Sequence, residues 1–285
     1  MPVSVVFGAS GAIGRFLLPR LLRADHEVLA VSREARASGD AHLRWIGGRL
    51  ADDVPALPRG ATIFSLGPLD AFAAWFALHG ERDARVIAIG SRSIDTKKDS
   101  PDAAERDVAA RLARAEASLG ESGARLTVLR PTMIYGAGLD RSFTPLVAFA
   151  RRWRVFPYVA GADGLRQPVH ADDLASACVS LARTMPERRA YDVGGGERLA
   201  FSAMLRRVRA SLPFGTLALP VPLAIARAGA GIARVSPAFR AASAGALARM
   251  QEDLVADHAA AAADFGWSPR AFRPEPRDWT PAPLP

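Results

Sequence analysis

The sequence predicts an α/β fold, a doubly wound parallel sheet followed by a smaller, mostly helical C-terminal lobe. Three observations predict it. The apolar run Val3–Phe7 leads into the turn Gly8-Ala9-Ser10-Gly11-Ala12-Ile13-Gly14 and then into the helix-forming stretch Arg15–Leu22. Strand-like and helix-like segments then alternate to Leu129, the mark of a parallel sheet with helices on both faces. Past Gly136 the alternation loosens into mainly helical sequence, which marks the lobe.

Strand, glycine turn and helix in that order make a place for a dinucleotide pyrophosphate. Glycine lets the backbone turn sharply and approach phosphates, while the helix N-terminus presents unpaired N–H groups to negative charge. Gly8, Ser10, Gly11, Ala12, Ile13 and Gly14 are therefore the first candidate cofactor contacts. The next strand, Glu27–Ser32, ends at the position where an acidic residue usually grips the ribose 2′-hydroxyl of NAD. Ser32 followed by Arg33 suits a 2′-phosphate better, since a guanidinium binds phosphate with charge-assisted bonds. NADP is the expected cofactor, with NAD second through Glu34.

Further strands are read at Leu43–Ile46, at Ala61–Leu66 and at Arg85–Ile89. The end of the Ala61–Leu66 strand makes Leu66 and Gly67 further candidate cofactor contacts. A long helix from about Pro101 to Leu119 precedes the strand Leu126–Leu129. Helices follow near Phe143–Arg152, Asp172–Arg183 and Phe201–Ser211. The expected organisation is a Rossmann-like core over residues 1–135, to which 169–195 return. Residues 136–168 and 196–273 form the substrate lobe, and 274–285 a proline-rich tail.

Composition bounds the function. The 285 residues suffice for one large domain with a lobe, and 49% apolar residues exclude a disordered chain. The single cysteine, Cys178, excludes a disulfide framework and suits a cytoplasmic location. The start lacks a basic region before its apolar run, so no signal peptide is read there. The apolar stretch Leu217–Val235 is broken by Pro220, Pro222, Arg227 and Arg234 and falls short of a bilayer span. Within it, the default reading of Leu219–Val235 is burial in the lobe, with a lipid or partner site as the alternative.

The net charge of +8 comes almost wholly from arginine, Lys97 and Lys98 being the only lysines. No basic stripe with interleaved aromatics appears, so nucleic acid is not an expected partner. The five histidines and one cysteine show no metal-ligand spacing, and no metal site is expected.

Beyond the glycines, two segments are specific: Leu129-Arg130-Pro131-Thr132-Met133-Ile134-Tyr135-Gly136 and Arg166-Gln167-Pro168-Val169-His170-Ala171-Asp172-Asp173-Leu174. Together they resemble the extended short-chain dehydrogenase/reductase family, which includes nucleotide-sugar epimerases and dehydratases, over residues 3 to about 195. The resemblance implies a nicotinamide cofactor with Pro131 beside its ring. It also implies a small-molecule substrate such as a nucleotide-sugar, with Arg166 at its phosphate, and a homodimer as the family habit. A salt bridge to Asp163 or Asp172 is the other reading of Arg166.

The family's catalytic tyrosine and lysine, four residues apart on one helix, are missing. Glu116 resembles the glutamate that follows them, and counting back puts Leu112 at the lysine and Val108 at the tyrosine. Elsewhere, Tyr135, Tyr158 and Tyr191 are followed four residues on by Leu139, Ala162 and Gly195, so no Tyr-x-x-x-Lys exists. A polar loop, Gly90–Ser100, stands where the family places a catalytic serine or threonine, which Ser91 or Ser93 would inherit. Lys97 and Tyr135 are the other candidate proton donors, with an exposed turn and a packed strand end as their plain alternatives. His170 is read as structural, and Arg49 is left open between a phosphate contact and solvent.

The expected function is therefore an NADP-binding, atypical reductase or epimerase-like protein with a non-standard proton donor. A non-enzymatic dinucleotide-binding sensor or assembly subunit is the alternative, and turnover stays open.

Overall fold

A computed structural model describes residues 1–50, 54, 56–222, 224 and 249–285. Seven parallel strands form the central sheet. They are β1 (Val3–Phe7), β2 (Glu27–Ser32), β3 (Leu43–Gly47), β4 (Thr62–Ser65), β5 (Arg85–Ile89), β6 (Arg125–Pro131) and β11 (Ala190–Val193), in the order β11-β6-β5-β4-β1-β2-β3. The chain starts in the middle at β1, runs out to β3, then returns to lay β4 on the other side of β1. The point of reversal, at the C-terminal ends of β1 and β4, is the usual place for a ligand in such sheets.

Helices cover both faces. On one side α1 (Gly14–Arg23) and α6 (Ala171–Thr184) bury Leu17, Leu18, Leu21, Leu174, Cys178 and Leu181. On the other, α2 (Leu69–His79) and α4 (Ala103–Glu121) bury Phe72, Trp75, Phe76, Ala115 and Leu119 against Val5, Val86 and Val128. The sequence reading contained no helix at α2. That helix has no apolar–polar contrast to reveal it, and no side chain caps its start after Pro68.

The lobe has its own core. Helices α5 (Phe143–Trp153) and α7 (Phe201–Ala210) pack Phe143, Val147, Met204 and Val208 against Phe156 of β8 (Val155–Ala160). β8 pairs in parallel with β13 (Leu217–Pro222), a strand inside the stretch expected to be mostly helical. Pro157, Pro220 and Pro222 disguise the pair in sequence. They are tolerated because a two-stranded ribbon has an open side for residues that cannot donate. Four short strands, β7 (Met133–Tyr135), β9 (Leu165–Arg166), β10 (Pro168–His170) and β12 (Leu199–Ala200), and α3 (Ser93–Thr96) complete the elements around the site.

The proline-rich stretch from Pro274 is docked rather than trailing. Asp278 and Trp279 are buried, and Trp279 Nε1–H donates to Ser211 Oγ at 2.8 Å. The Arg15 guanidinium donates to the Ala282 carbonyl, tying this strap to the first turn of α1. Most of the Leu219–Val235 stretch lies outside the described residues. No described helix is long and apolar enough to cross a membrane.

Candidate functional site

The glycine turn is built so that only glycine fits. Gly8 has φ +76°, and a Cβ there would lie 3.0 Å from both Gly67 N and the Leu66 carbonyl carbon. A Cβ on Gly14 would stand 2.2 Å from the Ala9 carbonyl oxygen. The Gly11 N–H closes the turn onto Gly8 O at 2.9 Å. Five of the sequence candidates, Gly8, Gly11, Gly14, Leu66 and Gly67, thus meet in one place at the sheet's switch point. Ile13 is buried beneath the turn with Ala12 packed beside it, and no side chain caps the α1 N-terminus. Ser10 offers its carbonyl to Arg15 Nε at 3.0 Å.

At the end of β2, Ser32 is buried and its hydroxyl donates to the Glu34 carbonyl. Arg33 and Glu34 are both exposed there, so the two side chains that would choose between a 2′-phosphate and a 2′-hydroxyl lie side by side.

The loop after β5 is pinned to the end of β6. The Gly90 N–H donates to Leu129 O at 2.8 Å and the Arg92 N–H to Pro131 O at 3.0 Å. This brings Ser91 and Ser93 beside Pro131, with the Ser93 N–H donating to Ser91 Oγ at 3.1 Å. The Arg92 guanidinium bridges Asp95 and Asp192, each at 2.6 Å. Lys97 is half-buried with Nζ 3.8 Å from Glu105 Oε1. Burial first, then the neighbouring Arg249, holds its ammonium below the usual lysine range. The direction of that shift favours release of the Lys97 proton.

Glu105 is a participant the sequence reading missed. Its buried carboxylate accepts from Ser100 Oγ at 2.7 Å and from Arg249, which reaches across from the lobe. The Asp102-x-x-Glu105 pattern at the start of α4 reads as a solvent-facing helix cap, and Asp102 does cap Ala104 N–H. Only the fold brings Arg249 to it. On the same helix, Glu116 holds Arg130 through both carboxylate oxygens and lies close over Gly90. Val108 and Leu112, which occupy the tyrosine and lysine places, are partly buried.

Three candidates are held in packing. Tyr135 is 1% exposed in the lobe core, with its ring edge-on to Phe272 and His170 at 4.8 and 5.0 Å. Burial, reinforced by Asp278, pushes its phenol well above the ordinary tyrosine range, so it keeps its proton. His170 accepts the Asp172 N–H on Nδ1 at 3.0 Å, which caps α6, and Nε2–H faces Asp278 Oδ1 at 3.2 Å. Arg166 is buried and stacked over Phe201, and its guanidinium donates to the carbonyls of Leu165, Arg249 and Glu252. Neither acid named as its salt-bridge alternative pairs with it. Asp172 is bound instead by Arg20 and Arg270, while Asp163 accepts from Ser202. Among the described residues no group of three or more His, Cys, Asp or Glu side chains could hold a metal ion.

No family model and no curated protein matches the chain. Solved structures do. A UDP-glucuronic acid 4-epimerase from Bacillus cereus, in complex with NAD, superposes with a TM-score of 0.68 at 12% identity, over 98% of this chain and 97% of that one. The NAD-dependent NDP-hexosamine 5,6-dehydratase TunA, involved in tunicamycin biosynthesis, gives 0.67 at 14%, over 98% and 95%. MoeE5 in complex with UDP-glucose and NAD gives 0.65 at 20%, over 96% and 95%. At these identities the likeness establishes the fold alone, the one these three solved structures share.

Proposed function

We propose that the protein binds a nicotinamide dinucleotide across the Gly8–Gly14 turn and acts on a nucleotide-sugar or similar small molecule beside the loop 90–100. The observation that carries this reading is the turn itself, where side-chain-free backbone meets Leu66 and Gly67 at the switch point of the sheet. NAD is the better supported of the two cofactors, because the neighbours are described with NAD. The case for NADP rests on Ser32 followed by Arg33. An exposed arginine next to an exposed glutamate does not decide the matter.

The chemistry such a cofactor supplies is hydride transfer. The chain's own part would be to orient the substrate oxygen and move its proton. Ser91 and Ser93 are the residues we assign to that oxygen, with Lys97 as the nearby cation. Tyr135 we assign to packing, since its raised pKa opposes proton release. Arg166 we assign to shaping the lobe, since contact with a substrate phosphate would break bonds to buried carbonyls.

Calorimetric titration with NAD and NADP, followed by incubation of the better-bound cofactor with a panel of nucleotide-sugars, tests the reading. The expected result is saturable binding, tighter for NAD, and a change in nicotinamide absorbance or sugar configuration with at least one substrate. Binding tighter for NADP and weakened by Arg33→Ala would reverse the cofactor order. Absence of binding to either would overturn the proposal, and binding without turnover across the panel would leave a dinucleotide-binding module.

A further inference from the structure

The lobe concentrates positive charge to a degree hidden in the overall composition. Residues 136–168 and 196–273 contain fifteen arginines against seven aspartates and glutamates, a net charge of about +8 that equals that of the whole chain. The other residues therefore sum to no net charge. At one edge of the lobe this charge meets exposed apolar side chains. Helix α5 ends in Arg151-Arg152-Trp153-Arg154, with Trp153 60% exposed and the Arg152 guanidinium 5.1 Å from its ring centre.

Arg154 stops the helix in a left-handed conformation at φ +57°, and its carbonyl accepts the Leu217 N–H at 2.8 Å. β13 therefore begins beside Trp153, with Leu217 68% and Leu219 46% exposed. Arg154 lies 4.7 Å over the Phe214 ring, and Arg209 donates to the hydroxyl and carbonyl of Thr216. An apolar edge of Trp153, Leu217 and Leu219 is thus framed by Arg152, Arg154 and Arg209.

We propose that this edge docks the protein onto an anionic lipid surface, lying on the bilayer and not crossing it. Tryptophan and leucine gain by leaving water for the headgroup–acyl boundary, and arginine keeps its guanidinium among lipid phosphates while its stem lies on apolar surface. Each arginine near such a surface strengthens binding by about fivefold through the negative surface potential. A nucleic acid would reward the arginines but not two protruding leucines, and it would need a row of aromatic platforms. The proposal goes beyond the dinucleotide reading and is independent of it.

Co-sedimentation of the full chain with phosphatidylcholine vesicles, and with phosphatidylcholine–phosphatidylglycerol vesicles, tests it. Binding should be tenfold or more tighter to the anionic vesicles. Arg152→Gln should weaken that binding by about fivefold, and the double variant Trp153→Ser/Leu217→Ser should reduce it to the level of the neutral vesicles. A direct readout needs no variant. Trp45, Trp75, Trp267 and Trp279 are all buried, so quenching of tryptophan emission by brominated anionic lipid reports on Trp153. Equal or absent binding to the two vesicle types, or no quenching, would each overturn the proposal.

Discussion

Gly14 has no room for a side chain. Its α-hydrogen faces the Ala9 carbonyl where a methyl group would stand 2.2 Å away, so Gly14→Ala must displace backbone. The expected cost is about 3 kcal/mol by overpacking. NAD affinity, read by calorimetry, should fall beyond detection even in protein that still melts cooperatively. Glu105 answers to a different force. Its carboxylate is buried among Ser100, Arg249 and Lys97, and removal leaves two cations partly shielded from water. Glu105→Ala should lower stability by about 3 kcal/mol in urea unfolding, the lower end for a broken buried pair because water still reaches both cations. Gly14 was legible in the sequence because a turn between strand and helix states its need for glycine locally. Glu105 was not, because its partner Arg249 is 144 residues away and only packing joins them.

At the scale of elements, the strap from Phe272 to Trp279 does the work of a core helix without being one. Phe272 and Trp279 close the lobe core over Tyr135 and Phe143, and Trp279→Ala should cost about 3–5 kcal/mol in a thermal or chemical melt. Its polar anchor is pH-sensitive. Burial alone would raise the Asp278 carboxyl, but the hydrogen bonds from His170 and from the Glu275 N–H outweigh it and hold the group below the usual aspartate range. A depressed pKa of this kind stabilises above about pH 4, the unfolded value, and is lost as pH falls through the folded one. Asp278→Asn should flatten the fall of melting temperature with pH below 4 and leave the melt near pH 7 cooperative. Sequence reading treated this segment as a tail because prolines hide its regular contacts. It missed α2 for the opposite reason, since a helix apolar all round offers no period to read.

For the whole molecule, the core strands and the glycine turn were legible because each carries its own pattern of run, turn and period. The lobe was read less well, since its ribbon of β8 and β13 is written in proline and its core is gathered from distant stretches. If the dinucleotide binds only the folded chain, NAD at a hundred times its dissociation constant should stabilise it by about 2.7 kcal/mol. In a scanning melt that should appear as a rise of several degrees, absent in Gly14→Ala. The two halves also differ in how soon they can form. In the sheet, β1 meets its partners β2 and β4 early in the chain, whereas His170 waits for Asp278, 108 residues on. Loop closure over such spans slows folding. Refolding should therefore show sheet and glycine turn assembling in a fast phase and the lobe clasped by its strap in a slower one, so a chain halted between them would hold a formed dinucleotide turn with nothing yet closed over it.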